Sequence, residues 1–216
     1  MQVTRLGHAA VLVETSSARL LIDPGAYTTD WHDLSDLDAV LVTHQHPDHV
    51  DAVNIAGLMG RNPEARLVAE EGAITLLAER GLDAAVANPG DRLDFADTVV
   101  EVVGGAHAVI HPSLPRVGNV GYVVSDGGGP RLFHPGDAYD TAPAAIDVLA
   151  LPLTAPWARA AATADFLNEV APTKAFPIHD GGLNETGWGL YLRVVGGLAG
   201  ADITLDHIDP QGTLSI

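Results

Sequence analysis

The segment VLVTHQHPDHVD (residues 40–51) carries three histidines and one aspartate within six positions, directly behind an apolar run. The apolar, β-branched character of that run predicts a strand buried on both faces. Such a strand would hold the following loop at one rim of a sheet, where open α/β folds place their sites. His44 and His46 are two positions apart, so an extended backbone points both side chains to the same side. Asp48 and His49 are adjacent near the start of the next predicted helix, where neighbouring side chains point in different directions. This favours a second binding position beside the one that His44 and His46 face.

Metal binding explains this loop better than a purely structural turn does. A single aspartate could simply cap the next helix, but three histidines that share a loop with a carboxylate are typical of ligands for borderline divalent metals. At about 3.3 Å per extended residue, the four side chains lie within reach of two ions about 3.5–4 Å apart. The chain has no cysteine, which excludes disulfides, thiolate zinc sites, iron–sulfur clusters and a cysteine nucleophile. The loop therefore predicts half of a two-metal hydrolytic centre.

The composition is that of a globular protein with an acidic surface. The chain has 216 residues, of which 47% are apolar and 18% charged, and this fits one domain over residues 1–216. The net charge of −17, from 11 basic and 28 acidic residues, disfavours nucleic acid and an anionic membrane surface as partners. The segment MQVTRLGHAAVLVE lacks the pattern of a signal peptide, and no apolar run approaches the ~20 residues of a transmembrane helix. We therefore expect a cytoplasmic protein that acts on a small molecule, with its oligomeric state left open.

Strand-like and helix-like segments alternate in blocks along the chain. β-rich runs bounded by turn residues predict strands at 2–7, 9–15, 18–23, 39–43, 147–153, 174–179 and 201–208, and in several pieces between 84 and 132. Helices are predicted at 51–60, 70–81, 160–170 and 184–200. The triple glycine at 127–129 suggests the tip of a hairpin. This order predicts an α/β protein with two packed sheets that are covered by helices.

The run from His44 to His49, behind AVLVT, resembles the HxHxDH signature of the metallo-β-lactamase superfamily. Members with this signature carry a dinuclear metal centre in a four-layer αββα sandwich, in which helices flank two mixed β-sheets. The resemblance covers roughly residues 3–180. It implies further site residues downstream, and each of them has a match in this chain.

Three later segments supply the remaining ligands that the resemblance implies. A histidine at a strand end is matched by His107 in VEVVGGAHAVIHP, with His111 as a rival in the same segment. A bridging aspartate in a Gly-Asp pair is matched by Asp137 in LFHPGDAYD, and a late histidine after an apolar strand by His179 in AFPIHDG. An early aspartate orients the site in the family and is matched by Asp23 in LLIDPG. We expect it to accept an N–H hydrogen bond from a ligand histidine rather than to bind metal.

The resemblance and the ligand chemistry together predict two divalent cations, with zinc as the first choice and manganese or iron as alternatives. One ion would be held by His44, His46 and His107, and the other by Asp48, His49 and His179, with Asp137 bridging both. A hydroxide held between the ions would be the nucleophile, and open coordination positions would polarise the carbonyl or phosphoryl oxygen of the substrate. Asp48 would take the proton of the water or orient it, as its counterpart is thought to do in the family.

The segments RLGHAAVLVE, RLLIDPG, THQHPDH and PIHD look most like the compact branch of the superfamily, which includes ascorbate-phosphate lactonase-like hydrolases. The predicted function is therefore metal-dependent hydrolysis of a small-molecule ester, lactone or phosphodiester. The alternative is a non-catalytic, metal-stabilised ligand-binding protein of the same fold. Structural metal sites are usually closed by four protein ligands, whereas three ligands per ion plus a shared aspartate leave positions open, and this favours the enzyme.

Five further side chains are candidates for supporting the centre or contacting the substrate. His8, in LGH, is either a hydrogen-bonded turn residue or close to the metals, and His134, before PGD, is predicted to support the bridging aspartate. His111 lies in a Pro-interrupted loop where substrate contacts are expected. Trp157 and Arg159 follow a predicted buried strand and could line the pocket. An arginine there would suit an anionic substrate, although a surface arginine is the more ordinary case.

Overall fold

Over residues 1–209 and 211–216, which the computed structural model describes, the chain forms two mixed sheets of seven strands each and four helices. The strands of the first sheet are β1 (Gln2–Gly7), β2 (Ala10–Glu14), β3 (Arg19–Ile22), β4 (Ala39–Val42), β5 (Arg66–Ala69), β6 (Ala85–Val86) and, beside β1, β14 (Thr213–Ser215). The strands from β14 through β1 and β2 to β3 pair antiparallel, whereas those from β3 to β6 run parallel. The apolar run before the histidine loop is therefore β4, an interior strand whose residues are all buried.

The second sheet repeats this arrangement. Its strands are β7 (Arg92–Phe95), β8 (Thr98–Gly104), β9 (Val120–Asp126), β10 (Arg131–His134), β11 (Val148–Pro152), β12 (Lys174–Ile178) and β13 (Thr204–Leu205). The strands from β7 to β10 pair antiparallel, and those from β10 to β13 run parallel. The hairpin predicted at the triple glycine 127–129 is confirmed, because β9 and β10 pair antiparallel on either side of it.

The helices cover the outer faces of the two sheets. They are α1 (Ile55–Arg61), α2 (Glu71–Ala78), α3 (Ala160–Val170) and α4 (Glu185–Gly197). Val40 of β4 belongs to a cluster with Leu58 of α1, and Leu149 of β11 to a cluster with Leu167 of α3. Leu41, the neighbour of Val40, points the other way into a third cluster between the sheets, as the two-residue period of a strand requires. The predicted four-layer αββα sandwich is confirmed. In the described residues, no helix combines the length and apolar character needed to cross a bilayer.

Some element boundaries differ from the sequence-based expectation. The helix expected from residue 51 begins at Ile55, and the stretch between the first two helices contains β5. The final predicted strand, 201–208, forms only the two residues of β13, while β14 follows it and pairs with β1. These short edge strands are fixed by their tertiary partners, which outweigh weak local propensity. Within the predicted strand region 84–132, residues 105–119 form a loop instead.

Two hydrogen bonds join the sheets at the end of β4. The hydroxyl of Tyr122, on β9, donates to the carbonyl of Val42 at 2.9 Å. The N–H of Val120 donates to the carbonyl of Thr43, also at 2.9 Å. The histidine loop therefore starts at a point where the backbone of one sheet is tied to the other, and the loops that follow β8, β10 and β12 can reach it.

Candidate metal centre

A buried aspartate fixes the beginning of the histidine loop. Asp23 follows β3 with a left-handed φ of 51° and is fully buried. Its carboxylate accepts the N–H of Thr43 at 2.8 Å and the hydroxyl of Thr43 at 2.7 Å. It also lies 2.7 Å from Nδ1 of His49. A carboxylate only accepts, so in the neutral ring the proton of His49 sits on Nδ1 and the Nε2 lone pair faces the centre.

Four side chains from three loops form the first cluster: His44, His46, His107 and Asp137. Each offers one ligand atom, and these atoms lie within 4.8 Å of one another. Nε2 of His44 lies 3.0 Å from Nδ1 of His46, and Nε2 of His107 lies 3.3 Å from Oδ2 of Asp137. All except the half-buried His46 are buried. The structure places His107, and not its rival His111, in this cluster.

The second cluster lies on the other side of Asp137 and contains Asp48, His49, His179 and His8. Nε2 of His179 lies 3.3 Å from Oδ2 of Asp48 and 3.1 Å from Oδ2 of Asp137. Nε2 of His49 lies 3.0 Å from Oδ1 of Asp137. Nδ1 of His179 lies 2.7 Å from a backbone carbonyl oxygen, which places the ring proton there and turns the Nε2 lone pair inward. The carboxylate of Asp137 therefore touches members of both clusters.

His8 differs from the other histidines in the orientation of its ring proton. Its Nδ1 accepts the N–H of Gly181 at 3.1 Å, so the proton of the neutral ring sits on Nε2. That N–H donates to Oδ2 of Asp48 at 3.1 Å. His8 therefore holds Asp48 in place and presents no free lone pair to a cation, which agrees with a supporting position.

The donor atoms at the junction of the clusters have the features expected of a cation site. Among the described residues, Nε2 of His49, His107 and His179 and Oδ1 of Asp137 are buried and make no hydrogen bond. Nε2 of His49 lies 3.0 Å from Oδ1 of Asp137, and Nε2 of His107 and of His179 lie 3.3 and 3.1 Å from its Oδ2, but in directions that do not form hydrogen bonds. Buried polar atoms are otherwise nearly always paired. Imidazole nitrogens and carboxylate oxygens converging in this way suit zinc and similar divalent ions, so the residues fit the implied metals.

A family model described as a beta-lactamase superfamily domain matches residues 2–179. The chain belongs to the metallo-β-lactamase superfamily. Protein Rv0786c of Mycobacterium tuberculosis is 41% identical over 192 residues, 88% of this chain and 89% of that protein. A UPF0173 metal-dependent hydrolase of Mesorhizobium japonicum, mll0680, is 35% identical over 98 residues, 42% of this chain and 40% of that protein. The solved metallo-beta-lactamase fold protein YhfI of Bacillus subtilis matches with a TM-score of 0.75 at 12% identity, covering 99% of this chain and 98% of that one, and so shares the fold.

In this metallo-β-lactamase centre, the pKa of each histidine depends on burial and on the charges of the neighbouring histidines and aspartates. Burial lowers the pKa of His44 well below its ordinary value, and nearby His49 adds to the effect. Burial also disfavours charge on His49, but the carboxylates of Asp137 and Asp23 outweigh it and raise the pKa well above the ordinary value. For His179, burial is likewise outweighed by the nearby carboxylates of Asp137 and Asp48, which raise the pKa to about 9. Without metal, the centre therefore holds protons on two imidazoles, and divalent ions would replace them.

Asp137 follows a turn that requires glycine at position 136. Its N–H donates to Oδ1 of Asn119 at 2.9 Å, and its Oδ2 accepts Nε1–H of Trp157 at 3.0 Å. The preceding Gly136 has a left-handed φ of 61°, and a Cβ there would lie 2.3 Å from Oδ1 of Asn119. The N–H of Gly136 donates to Nδ1 of the buried His134 at 3.2 Å. His134 therefore supports the loop before Asp137, and Trp157 contacts the bridging carboxylate itself.

Two predicted substrate residues, His111 and Arg159, belong to neither cluster. Arg159 is exposed at the N-cap of α3. His111 is exposed, with Nδ1 2.7 Å from Oγ of Ser113, and lines a cavity of only about 20 Å³ beside His46 and His107.

Three supporting residues were not singled out from the sequence. Thr43 links Asp23 to the histidine loop, and its position directly before His44 is a signal that could have identified it. No local sequence pattern identifies Asn119 and Arg116, because their contacts with Asp137 and His107 depend on how the loops fold. Arg116 donates to the carbonyl oxygen of His107 and holds the segment that carries this imidazole.

Proposed function

We propose that the chain is a metal-dependent hydrolase with two divalent ions, zinc or a related metal. The ligands of one ion are His44, His46 and His107, those of the other are Asp48, His49 and His179, and Asp137 is shared. The position of the Asp137 carboxylate carries this proposal, since its oxygens lie 3.0 to 3.3 Å from three buried imidazole nitrogens that belong to two clusters. Three ligands and one shared carboxylate leave coordination positions open for water and substrate.

Divalent ions in this arrangement would lower the pKa of a water between them and polarise the oxygen of the scissile group. Asp48 is placed to orient that water by accepting one of its hydrogens. Burial alone would raise the pKa of Asp48, but the imidazole of His179 close to the carboxylate and the hydrogen bond from His8 hold it below the ordinary value, so the carboxylate stays ionised. Trp157 and Asn119 keep Asp137 in position and limit its motion during turnover.

The proposed reaction is hydrolysis of a small-molecule ester or lactone, or of a phosphodiester. The water oxygen bonds to the carbonyl carbon or to phosphorus, and the bond from that atom to the leaving oxygen breaks. One proton of the water passes to the leaving alcohol, while the acid product keeps the new oxygen. The relative from Mesorhizobium japonicum is named a metal-dependent hydrolase, which supports this reaction class.

Metal analysis combined with a substrate panel tests the proposal. Protein prepared without chelator should contain about two equivalents of zinc, manganese or iron, and Asp137→Asn should lose at least half of them. His32→Gln is the matched control, because His32 lies against Trp31 and outside both clusters. The metal-loaded protein should hydrolyse 4-nitrophenyl butyrate, a simple lactone or bis(4-nitrophenyl) phosphate. Full metal content without turnover of any of the three would count against a hydrolase.

A further inference from the structure

A groove leads from the proposed centre along the surface of the protein. A cavity of about 330 Å³ is lined by Asp48 and His179 of the second cluster. A larger cavity of about 860 Å³ adjoins it, since both are lined by His8, Tyr27 and Leu183. The larger cavity continues towards α4. A substrate whose scissile bond lies at the centre can therefore extend its remaining atoms into this second space.

The larger cavity carries an excess of negative charge. Its described lining contains four carboxylates and a single guanidinium, that of Arg5. Arg5 is buried, pairs with Asp180 and donates to two backbone carbonyls, so its charge is already balanced. Asp30, Glu185 and Asp209 are exposed in this lining. A phosphate or carboxylate group in the cavity would meet repulsion without a free cationic side chain to offset it.

One wall of the larger cavity combines an indole ring with a buried carboxylate. Nε1–H of Trp188, on α4, donates to Oδ2 of Asp180 at 2.6 Å. The ring of His207 lies 4.0 Å from that of Trp188, and its Nε2 is 2.9 Å from Oδ1 of Asp209. Asp180 is only 6% exposed, and its Oδ1 has no hydrogen-bond partner among the described residues. The hydrogen bond to Asp180 holds the indole of Trp188 in the wall of the cavity, and an indole face attracts cations.

We propose that this cavity binds the cationic end of the substrate, an ester or lactone that carries an ammonium group at a distance from the scissile bond. This inference rests on the proposed function and selects within it, because it disfavours substrates that would place a phosphate or carboxylate group in the larger cavity. Glu185 and Asp30 attract the ammonium group, and Trp188 contacts it. Arg159 and His111, which would have suited an anion, line neither of the two cavities.

Binding of small isosteres tests the inference without any need for turnover. Choline and 3,3-dimethylbutan-1-ol have the same shape, but only choline is charged. We expect the metal-loaded protein to bind choline about three- to tenfold more tightly than 3,3-dimethylbutan-1-ol. This ratio corresponds to the combined effect of one exposed cation–π contact and weak exposed charge pairs. The measurement is an NMR titration of the indole N–H signals, in which Trp188→Phe identifies the signal of Trp188.

The double variant Glu185→Gln/Asp30→Asn should reduce the preference for choline to less than about twofold, since both charges are removed. Glu79→Gln is the matched control, because Glu79 is equally exposed but lies at the end of α2, outside both cavities. Equal affinity for the two isosteres in the wild-type protein, or a preference that survives the double variant, would overturn the inference.

A pair of esters separates this inference from the proposed function. Butyrylcholine and 3,3-dimethylbutyl butyrate contain the same scissile bond, and we expect a higher kcat/KM for butyrylcholine. Hydrolysis of both esters at equal kcat/KM overturns the inference and leaves the hydrolase proposal intact. If neither ester is hydrolysed while choline still binds preferentially, ester hydrolysis is refuted and the assignment of the cavity is supported.

Discussion

Asp23→Asn tests whether Asp23 controls the metal-binding state of His49. The carboxylate accepts three hydrogen bonds, from the N–H of Thr43 at 2.8 Å, from its hydroxyl at 2.7 Å and from Nδ1 of His49 at 2.7 Å. Asparagine tolerates the left-handed φ of 51° at this position, so the backbone need not change. In either orientation, however, the amide NH₂ of asparagine faces at least one N–H donor.

The change that costs the least free energy in Asp23→Asn is a shift of the ring proton of His49 from Nδ1 to Nε2. That atom, which lies 3.0 Å from Oδ1 of Asp137, would then carry a proton in place of the lone pair that binds a cation. Loss of such a carboxylate partner typically weakens metal binding about 10- to 100-fold, or about 1.4 to 2.7 kcal/mol. The alternative response leaves two donors opposed and lowers the free energy of unfolding by about 1–3 kcal/mol.

A competition titration against a chromogenic zinc chelator measures the zinc affinity of the wild-type protein and of Asp23→Asn, and urea denaturation of the metal-free proteins measures their stability. Asp51→Asn is the matched control. Asp51 is also a buried carboxylate, at the end of the same loop, and it accepts N–H groups of Val53 and Asn54 rather than of a histidine. We expect it to lose stability and keep its zinc affinity. Wild-type zinc affinity in Asp23→Asn, or an equal loss in Asp51→Asn, would refute the role assigned to Asp23.

Three further predictions address the loops and the protons of the centre. Gly136→Ala should lower the free energy of unfolding by about 1–3 kcal/mol, because alanine is strained at a left-handed φ; thermal melting measures this, and an unchanged melting temperature would contradict it. Trp157→Phe removes the N–H donor to Asp137 and should weaken metal binding in the chelator titration while leaving the fold intact by circular dichroism. Zinc binding at pH 7.5 should release protons from His49 and His179, whose pKa values are raised in the metal-free centre, to about 9 for His179. Zinc affinity should therefore rise with pH through the range near 9 in which His179 loses its proton; calorimetry in buffers of different ionisation enthalpy counts the protons, and zero release would show the reasoning to be wrong.

The sequence predicts those parts of the site that depend on local pattern. A buried strand followed by HQHPDH has few structural alternatives, and β4 ends where the apolar run ends. The later residues His107, Asp137 and His179 were found by resemblance, since nothing local brings positions so far apart in the chain together. The structure does bring them together, because β8, β10 and β12 of the second sheet lead into the loops that carry them.

Contacts between loops could not be predicted in this way. Trp157 was expected to line a pocket, whereas it donates a hydrogen bond to Asp137. Arg159, two residues later, is exposed and lines neither of the two cavities beside the centre. Both follow the same buried strand, and only the path of the backbone after β11 separates their roles. The edge strand β14 was missed for a related reason, since its three residues become a strand by pairing with β1.

The division of the proposed ligands between the two sheets has a consequence for stability. His44, His46, Asp48 and His49 follow β4 of the first sheet, while His107, Asp137 and His179 follow strands of the second. In both clusters, ligand atoms from the first sheet meet atoms from the second. Cations bound there would therefore join the sheets at the rim where Tyr122 and Val120 already bond across them. Because an ion that binds only the folded state stabilises it by mass action, metal binding and the packing of the two sheets support each other.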